Sequence, residues 1–299
     1  MKPPPFDHHA PDTVDEAVTI LAELGEDGKV LAGGQSLIPL LNMRLAAPPA
    51  LVDIGRLDEL DTIEVTAGHV RLGARVRQSR ALRDDEVAAA LPLLRRTLSW
   101  VAHPVIRNRG TVVGSVVHAD PAAELPALLA LLGGEVELAS ARGTRTVAAD
   151  DLLLGPLESD VAVDELAVAV RLPRLPAGTG GAITELARRH GDYALAGVAA
   201  TVAVDDDRRV AAARSAFFGV AGTPVVVELA DPLTGQPHDA LDTAAAVATA
   251  RDRLDPTDDI HATGAYRRHL AGVLLDRALR AAARDAAGGS AAEHGPREA

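Results

Sequence analysis

Apolar residues fall at helical spacing early in the chain. Thr13-Val14-Asp15-Glu16 places Thr at an N-cap with Glu three residues later, and Val14, Ala17, Val18, Leu21 and Leu24 share a face before Gly25. The period then changes. Val30-Leu31-Ala32 predicts a short strand, residues 36–45 a helix with Pro39 in its first turn, and Leu51-Val52-Asp53-Ile54 a second strand. This alternation predicts a compact α/β lobe over residues 1–56.

Beyond it the pattern favours hairpins. Residues 63–65 and 69–73 pair around Ala67-Gly68, and residues 135–138 and 145–147 pair across Arg142-Gly143. Helical spacing covers 84–101 and 121–132, and 166–172 is a strongly apolar strand, so residues 57–175 predict a mixed α+β lobe. The Pro- and Gly-rich stretch 173–181 is a linker. Three antiparallel strands follow at 183–188, 198–204 and 211–220, then two helices near 240–254 and 264–283. These make a C-terminal domain over 176–287, with a frayed tail at 288–299.

Composition narrows the function. Among 299 residues there is no cysteine, which excludes disulfides, a cysteine nucleophile and any thiolate-held zinc or iron–sulfur cluster in this polypeptide. A net charge of -12 argues against sequence-independent nucleic-acid binding. The N-terminus has no apolar leader pattern and no run is long enough to span a bilayer, so a cytoplasmic chain with no integral membrane segment is expected. His103 and His118 have no triad or metal-ligand spacing around them and read as structural, so no metal site and no catalytic acid or base is assigned.

Two glycine-bearing segments remain. Ala32-Gly33-Gly34-Gln35-Ser36-Leu37 follows the first strand, and the segment from Gly110 through Gly114 and Ser115 to Asp120-Pro121 precedes the second apolar helix. Small residues after a strand let a backbone approach a ligand and leave N–H groups facing its phosphates. The plainer readings are turns, with Asp120 an N-cap and Pro121 at the first helical position. Two such segments together suggest a dinucleotide held between two walls.

These segments, with Arg188-Arg189-His190-Gly191-Asp192-Tyr193-Ala194 and the Tyr266-Arg267-Arg268-His269 helix, resemble the FAD-binding medium subunit of molybdenum hydroxylases, the xanthine dehydrogenase and carbon monoxide dehydrogenase family. The resemblance spans nearly the whole chain. It implies an α+β fold: a two-lobed FAD-binding domain of the vanillyl-alcohol-oxidase/PCMH type, plus a C-terminal domain of three antiparallel strands with helices. It also implies electron transfer from the [2Fe–2S] clusters of a small partner subunit, through FAD, to an external acceptor. A large partner subunit carries the molybdenum cofactor, and the complex is a dimer of heterotrimers.

By position, the resemblance implies that Val30, Leu31, Ala32, Gly33, Gly34, Gln35, Ser36 and Leu37 line the diphosphate side of FAD. Thr111, Gly114 and Ser115 form the opposing wall, and Asp120 and Glu124 accept hydrogen bonds from cofactor hydroxyls. Val101, Ala102, Leu166, Thr184 and Tyr193 complete the implied contacts, Tyr193 by stacking on the flavin and Thr184 where some relatives carry Lys. Val113 and Ser115 replace Gly and Asn of the family pattern. At Val113 a β-branched side chain is expected to crowd the phosphates and weaken FAD binding. A free-standing FAD oxidoreductase and a flavin-free assembly subunit are the alternatives: turnover without partners marks the first, a colourless protein that still binds partners the second.

Overall fold

Three parallel strands build the first lobe. In this computed structural model, which describes residues 2–289, they run Asp7–His9, Ala50–Asp53 and Gly28–Leu31 in spatial order, linked by the helices Val14–Leu24 and Leu37–Met43. The expected tail lies outside the described residues from 290 onward. Thr13 Oγ1 accepts the Glu16 N–H at 3.2 Å, while the Glu16 carboxylate accepts from Asp12 rather than Thr13, at 2.9 Å. The capping box is thus stretched by one residue.

The second lobe is a five-stranded antiparallel sheet in the order Ile63–Val65, His69–Gly73, Leu166–Pro173, Glu135–Ser140, Gly143–Ala148. The central strand comes last in the chain. The helices made between its neighbours therefore pack over the sheet, and buried Leu and Val from both layers form one core. The helix expected at 84–101 is broken into Asp85–Ala90 and Pro92–Trp100. Pro92 causes the break: the residue before a proline is driven out of the helical region, and Leu91 sits at φ -144°, ψ 74°.

Two more boundaries differ from expectation. The second glycine segment is largely helical, Val112–His118, with Thr111 as its cap accepting the Gly114 N–H at 3.0 Å. The apolar helix begins at Glu124 rather than Pro121. Asp120 instead turns the chain ahead of it, its Oδ1 accepting the Ala122 N–H at 2.9 Å, so the cap reading of Asp120-Pro121 does not hold.

The C-terminal sheet is antiparallel: Thr179–Ala187, Ala194–Val204, Val210–Phe218 and a fourth edge strand, Val225–Glu228, beyond the three expected. Its two faces serve different cores. Ile183, Ala199, Ala216 and Phe218 join the core of the first two lobes, whereas Ala182, Val198, Ala200 and Phe217 pack under the helices Ala244–Arg253 and Gly264–Ala286.

Arg96 fastens the halves. Its guanidinium donates to both Asp285 oxygens at 2.6 Å and to the Gly181 carbonyl at 2.5 Å, while Asp285 also accepts the Gly181 N–H at 3.0 Å. Bidentate, charge-assisted bonds of this kind are the strong ones. Asp285→Ala is expected to cost about 1–3 kcal/mol. Thermal unfolding checks it, an unchanged melting temperature counting against the junction.

Candidate cofactor site

The first glycine loop leaves its donors free. Gly34 has φ +72°, a conformation that favours glycine, and its carbonyl accepts the Ile38 N–H at 3.0 Å to start the next helix. The Gln35 side chain folds back onto the Gly33 carbonyl at 3.2 Å. Among the described residues, the N–H groups of Gly33, Gly34, Gln35 and Ser36 have no acceptor within the chain, although all four residues are half-buried. A row of unpaired, partly shielded donors suits an anion.

Close packing sets this loop against the second wall. A Cβ on Gly33 would lie 2.5 Å from the Arg109 carbonyl oxygen and 2.8 Å from Gly110 Cα. The loop borders a cavity of about 530 Å³ lined by Leu31 through Gln35, with Ile38, Pro39, Asp53, Gly55, Arg77 and Arg109. Arg77 donates to the Arg109 carbonyl, and burial and then the neighbouring Arg109 and Arg75 charges lower its pKa. Crowded guanidiniums favour an anionic guest. Both arginines were missed as site residues, because exposed arginines are common and nothing in their spacing marks these two. Val30 packs against the core beside the cavity, and Leu37 opens the helix that follows.

On the opposing wall, Gly114 comes within 4.0 Å of Ala32 when a Cβ is added, and Gly114 and Ser115 are half-buried. Val113 behaves differently from expectation. Its backbone is helical and its side chain, 2% exposed, points into the core, so it does not crowd a ligand. The expectation that Val113 weakens binding is therefore withdrawn. Val113→Gly is expected to cost about 2–4 kcal/mol through the lost side chain and helix propensity. An FAD titration beside a melting curve would show lower stability without tighter binding.

At the far end, five implied residues converge. Arg107, 3% exposed, donates to the Val101 and Ala102 carbonyls at 2.8 and 3.0 Å, fixing a turn in which Ala102 adopts φ +43°. Left-handed alanine is strained by about 1–2 kcal/mol. The loop carrying Tyr193 leans on this turn through His103 and His190, whose rings meet edge to face at 5.3 Å. Tyr193 is 66% exposed, and its phenol faces Asp120. Burial, then the neighbouring Asp120 and Glu124, push that phenol upward. Burial likewise pushes Glu124 up to about 7, with Asp120 adding to it and Arg107 opposing. His118 is half-buried, and burial lowers its pKa against the pull of Asp120.

Two implied residues lie elsewhere. Thr184 is buried on the other face of its strand and donates to the Leu274 carbonyl at 3.3 Å; the next residue, Glu185, faces the acidic end instead. Strand side chains alternate, so a one-residue error in phase reverses the face. Leu166 is 1% exposed in the core at the start of the central strand.

These residues fit FAD on three counts: free N–H donors beside two arginines for a diphosphate, carboxyl groups for hydroxyls, and an exposed aromatic ring for a flat ring system. Residues 4–175 match the family described as the FAD binding domain in molybdopterin dehydrogenase, and 181–282 match the CO dehydrogenase flavoprotein C-terminal domain. The chain is 39% identical over 280 residues to the 6-hydroxypseudooxynicotine dehydrogenase complex subunit alpha of Paenarthrobacter nicotinovorans, covering 93% of this chain and 95% of that one. It is 38% identical over 282 residues to the carbon monoxide dehydrogenase medium chain of Afipia carboxidovorans, covering 93% and 97%. Its fold superposes on quinoline 2-oxidoreductase from Pseudomonas putida 86 with a TM-score of 0.90, at 39% identity over 96% of this chain and 99% of that one. No helix among the described residues is long and apolar enough to cross a membrane.

Proposed function

We propose that this chain, which belongs to the FAD-binding medium subunits of the molybdenum hydroxylases, holds FAD between its two glycine-bearing walls and carries electrons from a partner's [2Fe–2S] clusters to an external acceptor. FAD supplies the chemistry, accepting electrons singly or in pairs. The chain supplies placement. Free N–H groups of residues 33–36 receive the diphosphate, and Arg77 and Arg109 balance its charge. Thr111, Gly114 and Ser115 close the opposite side. Asp120 and Glu124 accept from cofactor hydroxyls, and Tyr193, facing Asp120, lies against the flavin ring. Val101 and Ala102, held by Arg107, shape the same end.

The row of unpaired donors carries this reading: any helix start leaves free N–H groups, but here they border one cavity together with the Arg77 and Arg109 guanidiniums. The lobes 1–56 and 57–175 clasp the cofactor, and 176–287 contributes Tyr193 and part of the partner surface. Substrate oxidation and the iron–sulfur clusters belong to large and small partner subunits. The assembly is a dimer of heterotrimers in the cytoplasm. The test is substrate-driven bleaching of the flavin in the co-purified complex under anaerobic conditions. Bleaching that needs the small subunit is the expected result; a flavin that stays oxidised while the clusters are reduced contradicts the electron route.

A further inference from the structure

Side chains on the strand Thr179–Ala187 alternate between the two cores. Ala182 and Thr184 face the helix Gly264–Ala286, whereas Ile183 packs into the core of the FAD-binding half and Glu185 follows it on the same face. The register agrees: Glu185 pairs with Gly197, and Gly197 with Phe218, which also belongs to that first core. Glu185 therefore reaches the acidic end of the cleft, close enough to feel the Glu124 charge. Its Oε2 is buried and meets no hydrogen-bond donor among the described residues.

An ionised carboxylate in that position is costly; a proton removes the charge. The charged neighbours sharpen the case. Asp120 and Glu124 are both acids, Tyr193 faces Asp120, and among the described residues the guanidinium of Arg107 bears on Glu124. Burial and then Glu124 push Glu185 up to about 9, while Glu124 reaches about 7. At neutral pH the pair keeps at least one proton.

We propose that Glu124 and Glu185 share one proton beside the flavin and act as its proton store, a role that rests on the FAD reading of the cleft. Reduction of the oxidised flavin to its reduced anion takes two electrons, which the iron–sulfur subunit supplies, and one proton, which leaves the carboxyl pair. The pair is then left as carboxylates, with the Arg107 charge acting on Glu124. When the external acceptor withdraws the two electrons, the proton returns to the pair.

Two measurements test it. The first uses the FAD-free chain. An unfolded glutamate, near 4.5, gives up a proton that folded Glu185 keeps, so stability falls as pH rises from there towards about 9. Glu185→Gln removes that loss: its melting temperature gains on the wild type as pH rises. Parallel curves overturn the shared proton. If the variant does not fold, Glu124→Gln makes the same comparison.

The second follows the flavin reduction potential of the assembled complex against pH. The wild type shows a change of slope between about pH 7 and about 9 that Glu185→Gln lacks; identical profiles overturn the store. A chain that takes up no FAD overturns the store together with the cleft reading, while the unfolding curves still decide whether the pair shares a proton.

Discussion

Gly33→Ala is expected to strip the chain of most of its FAD affinity. The added methyl would lie 2.5 Å from the Arg109 carbonyl oxygen and 2.8 Å from Gly110 Cα, and both are backbone atoms that no rotamer change can clear. The two walls must part, which opens the diphosphate site along its length. Overpacking of this kind costs about 1–3 kcal/mol. Spent on the geometry that binds the ligand, it weakens Kd by about 10- to 100-fold. Gly34→Ala is the control. There the added carbon meets Ile38 Cγ1 at 3.0 Å, a flexible side chain, and the cost is the left-handed backbone at φ +72°. An FAD titration of both variants should rank Gly33→Ala as the more damaging; wild-type affinity in Gly33→Ala would mean the walls do not clamp the cofactor.

Arg267→Ala is expected to produce the largest loss of stability. The guanidinium is almost wholly buried and donates to the Leu195 and Gly219 carbonyls at 2.5 and 2.9 Å and to Asp259 at 2.6 Å. Removing it leaves the Leu195 and Gly219 carbonyls without this donor, at about 1–3 kcal/mol each, whereas Asp259 keeps its backbone donors and access to water. The damage reaches the cofactor end, because Gly219 donates to the Pro121 carbonyl at 2.7 Å and Leu195 lies two residues beyond Tyr193. Melting temperature and FAD affinity should therefore fall together. The bond to Arg267 holds the Asp259 carboxyl well below the usual carboxylate range. A carboxylate depressed on folding stabilises above its unfolded value and loses that contribution as pH falls, so this network weakens in acid below about 3.8. Arg267→Ala should flatten that part of the acid-unfolding curve.

The parts legible in the sequence were those where a local pattern has one physical meaning. A strand running into Gly33-Gly34 marks a loop that approaches something, and alternating or helical spacing gave most of the strands and helices in order. The misread places share a cause, which is that tertiary packing decided them. Thr111-Val112-Val113 looks unlike a helix start because β-branched residues are poor helix formers, yet burial of Val112 and Val113 carries the turn. Thr184 and Glu185 are neighbours on a strand buried on both faces, so nothing in the sequence says which one points to the cleft. Arg77, Arg109 and Arg267 had no role assigned from the sequence, because only the fold brings carbonyls and a cavity to them.

The central claim is that this chain holds FAD between its two walls. An absorption spectrum of the purified protein, after FAD is added and the excess removed by desalting, tests it most directly. The account predicts the two visible bands of oxidised flavin at one FAD per chain, diminished in Gly33→Ala. A colourless protein that stays colourless with its partner subunits present would contradict it.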